Sequence, residues 1–167
     1  MKKILILQGG LNEEHKVSIN TANEVAKVLT KLKIDFIRFT VNPKTFVRDI
    51  SRFSNKHICF NSLHGSFGED GKIQKILKKK GFSFTHSNQT SSINCFNKIK
   101  SKEIIKKYKI LTPPHKLVKI KDIDHKYLEK ISIKFKKFVL KPVSSGSSYG
   151  LKVIKSKKDL SFFCKEI

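Results

Sequence analysis

Hydrophobic positions along the chain recur at two periods. Ile4, Leu5, Ile6 and Leu7 are consecutive and apolar, the pattern of a strand buried on both faces. After Gly9-Gly10 and a polar stretch over residues 12–16, a helix is predicted from Val17 onward. Its inward face is Ala22, Val25, Ala26, Leu29 and Leu32. Residues 35–41 return to a strand pattern, with Phe36, Ile37, Phe39 and Val41. A short helix over 45–52 and a third strand over 57–61, carrying Ile58, Cys59 and Phe60, come next. A helix over 72–80 turns Ile73, Ile76 and Leu77 inward, stops at Gly81, and leads to a fourth short strand over 82–85. Strand, glycine turn, helix, strand is the opening of an α/β fold on a parallel sheet.

The pattern changes near residues 94–98, where a domain boundary is predicted. Before it, residues 87–97 are polar and include a short helix. Beyond it come a helix over 98–108, a break at Thr112-Pro113-Pro114, and a strand candidate at Leu117 and Val118. A helix over 124–131 precedes a strand-loop-strand unit between Phe138 and Ile154. A last helix over 158–167 carries Leu160, Phe162, Phe163 and Ile167. The chain thus divides into 1–96 and 97–167.

Three loops carry candidate chemistry. A parallel sheet binds ligands at the carboxyl ends of its strands, which puts residues 9–16 on the ligand side. The glycines there do not form the G-x-G-x-x-G dinucleotide fingerprint. The third strand runs into S-L-H-G-S-F-G-E-D-G, residues 62–71, where His64, Glu69 and Asp70 sit among Gly65, Gly68 and Gly71. Such a loop is shaped for close backbone contact. The third is F-V-L-K-P-V-S-S-G-S-S-Y-G, residues 138–150. Lys141 is a compact point charge at a strand end, and a loop of small residues lets backbone N–H groups converge on an anion, which suits a nucleoside triphosphate. A plain hairpin with a Ser/Gly turn is the structural alternative.

Composition changes this picture little. The chain has 167 residues, 38% of them hydrophobic, enough for a core. No apolar run is long enough to span a bilayer, and the opening apolar run stops at Leu7, too short for a signal peptide. Cys59, Cys95 and Cys164 form no C-x-x-C pair, which points to a reducing cytoplasm and away from a disulfide framework or zinc site. The formal net charge of +23 invites a nucleic-acid reading. Yet only Arg38, Arg48 and Arg52 are arginines, and the lysines are spread over the whole chain, so no specific nucleic-acid groove is predicted.

Four stretches, in this order, carry a family likeness: Q-G-G-L-N-E-E-H-K-V-S (8–18), L-H-G-S-F-G-E-D-G-K-I-Q (63–74), N-K-I-K-S-K (97–102) and K-P-V-S-S-G-S-S-Y-G (141–150). Together they resemble the D-alanine:D-alanine ligases, ATP-grasp enzymes of peptidoglycan synthesis. The likeness implies a Rossmann-like amino-terminal domain over 1–96 and an incomplete ATP-grasp lobe over 97–167. It implies ATP-dependent joining of two D-alanines through an acyl-phosphate, in the cytoplasm, with ATP and Mg²⁺. Glu14 would sit near the first D-alanine's amino group and hold a closing loop, and His64 would lie beside that substrate and the acyl-phosphate. Lys98 and Lys141 would contact ATP phosphates, and Ser147 with the Ser148 backbone would belong to the loop that closes over them. Lys16 and Asn97 depart from the family pattern, which has Glu and often Asp there. Complete family members are expected to be homodimers, with no membrane partner. They continue well past this chain, and the metal ligands, adenine pocket and transition-state arginine belong to that continuation. The 167 residues alone are expected to be inactive. The alternatives are a non-catalytic remnant or split-enzyme subunit acting as an interaction module, or a basic nucleic-acid-binding protein.

Overall fold

A computed structural model describes residues 3–166, with side chains described through Phe163. The chain forms two compact units that divide between Ser101 and Lys102.

The first unit is built on a four-stranded parallel sheet. Its elements are β1 (Ile4–Gly9), α1 (His15–Lys31), β2 (Phe36–Val41), α2 (Phe46–Asp49), β3 (Ile58–Asn61), α3 (Lys72–Lys79), β4 (Ser83–Phe84) and α4 (Gln89–Phe96); α5 (Lys98–Lys107) begins within it. Strand order is β2-β1-β3-β4, with Leu5 beside Ile37 on one neighbour and Cys59 on the other. The unbroken apolar run of β1 is explained by this central position. Leu5 and Leu7 face one layer with Phe46, Ile50, Ile73 and Leu77, while Ile6 faces the other with Ala22 and Ala26. Fully burying each such side chain contributes about 1.5–3 kcal/mol. Burial also pushes the Cys59 thiol up to about 12, which leaves it inert as a nucleophile.

Helix ends show a local peculiarity. Gly81 follows α3 with a φ of +75°, the left-handed residue that ends many helices. After α1 the same conformation falls on Lys33, with a φ of +54°. A lysine there has a Cβ that glycine lacks, at a cost of roughly 1–2 kcal/mol.

The second unit contains α6 (His125–Phe135), β5 (Phe138–Leu140), β6 (Lys152–Ile154) and α7 (Lys157–Glu166). Asp124 caps α6 by accepting the Tyr127 N–H at 2.6 Å. A reciprocal cap opens α7: Ser156 Oγ accepts the Asp159 N–H, and Asp159 Oδ2 accepts the N–H groups of Lys155 and Ser156. β5 and β6 pair antiparallel as a two-stranded ribbon. Phe138, Leu140 and Ile154 pack with Leu128, Leu160 and Phe163, whereas the paired Val139 and Val153 remain 49% and 45% exposed.

Three sequence expectations are corrected. Helix α1 begins at His15, not Val17, because polar Glu14 to Lys16 mask its first turn. Leu117 and Val118 lie in an irregular stretch with no pairing strand. Helix α6 continues to Phe135 instead of stopping at Ile131. Ile167, expected on the last helix's apolar side, lies outside the described residues.

Among the described residues no helix is long and apolar enough to cross a membrane.

Candidate functional site

Adjacent parallel strands bring their following loops side by side, and β1 and β3 are adjacent. The loop after β1 leads into α1, where Ser18 Oγ accepts the Gly9 N–H at 2.8 Å. The loop after β3 is anchored by Ser62, whose Oγ and N–H both donate to the Leu7 carbonyl. Asn61 at the end of β3 and Gln74 on α3 both donate to the Gly68 carbonyl in the loop.

Asn12 joins the two loops. Its Nδ2 donates to the His64 carbonyl at 2.8 Å and to the Ser66 carbonyl at 3.0 Å. Its Oδ1 accepts the Glu14 N–H at 3.0 Å. One side chain thereby holds the segments bearing Glu14 and His64. Glu14 itself is only 4% exposed, unusual for a carboxylate. Its Oε2 occupies the space where a Cβ on Gly65 would stand, and Gly65 has a φ of +68°. Glycine is required at 65 for both reasons.

The His64 ring is engaged on both sides. Its Nε2 is 2.9 Å from Thr21 Oγ1 on α1, and its Nδ1 is 3.8 Å from Glu69 Oε1. Glu69 is held by the Gly65 N–H, which donates to Oε2 at 2.9 Å. His86, against the Phe60 ring, is held below its ordinary pKa by burial and by the charge of His64. Asp70 pairs with Lys72 Nζ at 2.9 Å. An open groove of ≈ 980 Å³ runs along α1, lined by Val17, Thr21, Glu24, Lys27 and Arg38 among others, so it reaches Thr21.

The remaining candidate residues lie elsewhere in the chain. Lys98 is the half-buried first residue of α5. Asn97 before it accepts the N–H groups of Ile99 and Lys100, each at 3.0 Å, the capping task an Asp would perform. In the second unit, exposed Lys141 follows β5, and Ser147 and Ser148 lie in the same connection to β6. That connection is two tight turns, with Tyr149 N–H donating to Gly146 O and Leu151 N–H to Ser148 O. Ser147 and Ser148 have φ values of +43° and +61°, a strained pair of non-glycine residues.

The geometry thus brings Glu14 and His64 together and groups Lys141 with Ser147 and Ser148. Asn12 and Thr21 escaped the sequence reading. Asn12 carried a signal, being an Asx residue two before a turn N–H. Thr21 carried none, since its role depends on a loop 43 residues away.

Known proteins resemble this chain in sequence and in fold. The chain is 41% identical over 152 residues to D-alanine–D-alanine ligase of Pelagibacter ubique, covering 88% of this chain and 48% of that protein. It is 35% identical to the Bacillus anthracis ligase of the same name, covering 95% of this chain and 51% of that one. The crystal structure of a Bacillus anthracis D-alanine–D-alanine ligase superposes with a TM-score of 0.79 at 31% identity, over 99% of this chain and 53% of that one. A second, of that ligase complexed with ATP, gives 0.76 at 30% identity. The Coxiella burnetii ligase shares the fold, with a TM-score of 0.77 at 21% identity. No family model matches. The chain spans about half the length of the relatives it matches.

Proposed function

This chain belongs to the D-alanine–D-alanine ligase family as an amino-terminal portion of its members, and from that premise we propose that it supplies part of an active site joining two D-alanines at the expense of ATP. The observation that carries this reading is the Asn12 tie, which holds a buried Glu14 and a half-buried His64 at the carboxyl ends of β1 and β3. A buried carboxylate beside a glycine loop suits an ammonium, and an imidazole beside it suits an anionic oxygen.

The reaction proceeds in two steps. The carboxylate of one D-alanine takes the γ-phosphoryl group of ATP, giving an acyl-phosphate and ADP. The amine of a second D-alanine attacks that carbonyl, forming the peptide bond and expelling phosphate. Glu14 holds the first amino group and His64 the acyl-phosphate oxygens. Lys98 and Lys141 offset phosphate charge, and the loop of Ser147 and Ser148 excludes water from the intermediate. Mg²⁺ use is part of the same proposal, but the acids of the loop after β3 do not fit it. Asp70 is paired with Lys72, Glu69 with the Gly65 N–H, and no group of three or more His, Cys, Asp or Glu among the described residues could hold a metal. No step is assigned to a metal on this chain. The setting is cytoplasmic, and complete members pair as homodimers.

Turnover needs the other half. With ATP, Mg²⁺ and D-alanine, the 167 residues alone are expected to release phosphate far more slowly than the roughly 1 per second of ordinary enzymes. Turnover at that rate would overturn the half-site reading. Joined to the remaining half of the Bacillus anthracis relative, the chain is expected to form dipeptide. Glu14→Gln or His64→Ala is expected to lower that rate by about 100-fold or more. A fused protein that folds yet makes no dipeptide, and whose loops ignore D-alanine, removes the ligase reading. A second reading, an interaction module, is favoured by apolar exposure in the second unit, where Leu111 is 97% and Ile133 81% exposed. Concentration-dependent association of the chain by sedimentation would support it.

A further inference from the structure

We infer that Thr21 is a positioning residue for His64, fixing which ring nitrogen carries the proton. This rests on the reading of His64 as a substrate-side group. The Thr21 hydroxyl has one proton, and it donates that proton to the Val17 carbonyl one turn back, at 3.1 Å. The oxygen can then only accept from His64 Nε2, 2.9 Å away. Nε2 therefore carries a hydrogen, and Nδ1 is the nitrogen left to gain or lose one. Nδ1 faces Glu69 Oε1 at 3.8 Å, outside hydrogen-bond reach, while the other Glu69 oxygen is held by the Gly65 N–H. The main chain of His64 is fixed as well, by Asn12. Both tethers, Asn12 and Thr21, come from the β1–α1 arm, while His64 belongs to the loop after β3.

The consequence is chemical. A ring held at Nε2 cannot rotate to offer that nitrogen to a substrate without breaking the Thr21 bond. An anionic oxygen approaching Nδ1 meets a lone pair when the ring is neutral and an N–H when it is charged. His64 thus offers Nδ1 alone to an acyl-phosphate oxygen and does not act as a proton shuttle using both nitrogens. His86 is a further imidazole in the neighbourhood, and burial, then the charge of His64, hold its pKa below the ordinary value.

The test is imidazole ¹H–¹⁵N NMR on the full chain without ligand. The expected signature is a resolved His64 Nε2–H proton. Thr21→Val should speed its exchange with water by roughly fivefold to tenfold, the weight of one hydrogen bond, and Thr21→Ser should restore it. An unchanged backbone spectrum outside α1 and the loop separates this effect from unfolding; if the valine variant does not fold, Thr21→Ala and the serine variant carry the comparison. A ring carrying its proton on Nδ1, or an N–H indifferent to Thr21, overturns the inference. Titrating D-alanine then tests the underlying reading separately. Loop resonances that ignore D-alanine while the N–H still depends on Thr21 would sink the substrate role and leave the tether standing.

Discussion

The two units of this chain solve the same problem unequally. In the first, a central strand is covered on both faces, and Leu5, Ile6 and Leu7 are all fully buried. Its loops are tied to the sheet and to each other by side chains distant in sequence, among them Asn12 and Ser62. In the second, the buried hydrophobic side chains among the described residues are Leu128, Ile154 and Leu160, and one face of the ribbon is half exposed at Val139 and Val153. The Tyr127 hydroxyl there is buried with no hydrogen-bond partner among the described residues. The difference teaches where preorganisation resides. Groups proposed for the amino acid are held before any ligand arrives, and Lys141, Ser147 and Ser148, proposed for the phosphates, sit on a thin, strained support.

The widest contrast is expected in amide exchange. β1 and β3 amides should exchange at least about a thousandfold more slowly than those of β5 and β6, a gap of about 4 kcal/mol in opening free energy. Equal protection would break the comparison. Matched core truncations sharpen it. Leu77→Ala and Leu128→Ala remove side chains that are both fully buried, at about 2–5 kcal/mol each. The first should lower a urea midpoint and leave the fold intact. The second should abolish the native resonances of α6, β5 and β6, and their survival would show more reserve there than the core suggests.

A smaller effect depends on pH. The Thr45 hydroxyl, then Arg48 and Arg52, hold the Asp49 carboxyl below its ordinary value. A carboxyl lowered on folding contributes stability above its unfolded value, about 4, and loses it as pH falls through the folded value. Acid titration of the first unit should therefore show a destabilising limb below about pH 4. Thr45→Val should make that limb shallower. A limb that ignores the valine would assign it to other carboxyls. The smallest effect concerns backbone strain. Lys33→Gly in the first unit and Lys109→Gly in the second, at φ values of +54° and +58°, should each stabilise by about 0.5–1 kcal/mol in thermal melts. Unequal gains would mean that the second unit melts before its strain matters.

Much of the first unit was legible in the sequence because each element had a period to announce it. The consecutive apolar residues of β1 and the spaced set on α3 leave few alternatives. Leu117 and Val118 failed because two apolar residues set no period, and no neighbouring strand was present to pair them. The site was legible as loops but not as a geometry. Glu14 reads as solvent-facing by type, and only its packing over Gly65 shows it buried. Gln74 was likewise hidden, a polar residue turned inward to serve the Gly68 carbonyl.

The tie through Asn12 also fixes an order of events during synthesis. Its donor and its His64 acceptor are 52 residues apart. As the chain leaves the ribosome, β1 meets β2 first and must wait for β3, its other neighbour in the sheet. Only when Ile58–Asn61 has docked can the following loop reach back to Asn12. A nascent chain halted before that point holds Glu14 with nothing to press against. The approach of the Glu14 and His64 segments thus waits for β3, and a chaperone or protease meeting the chain earlier meets an open sheet edge in its place.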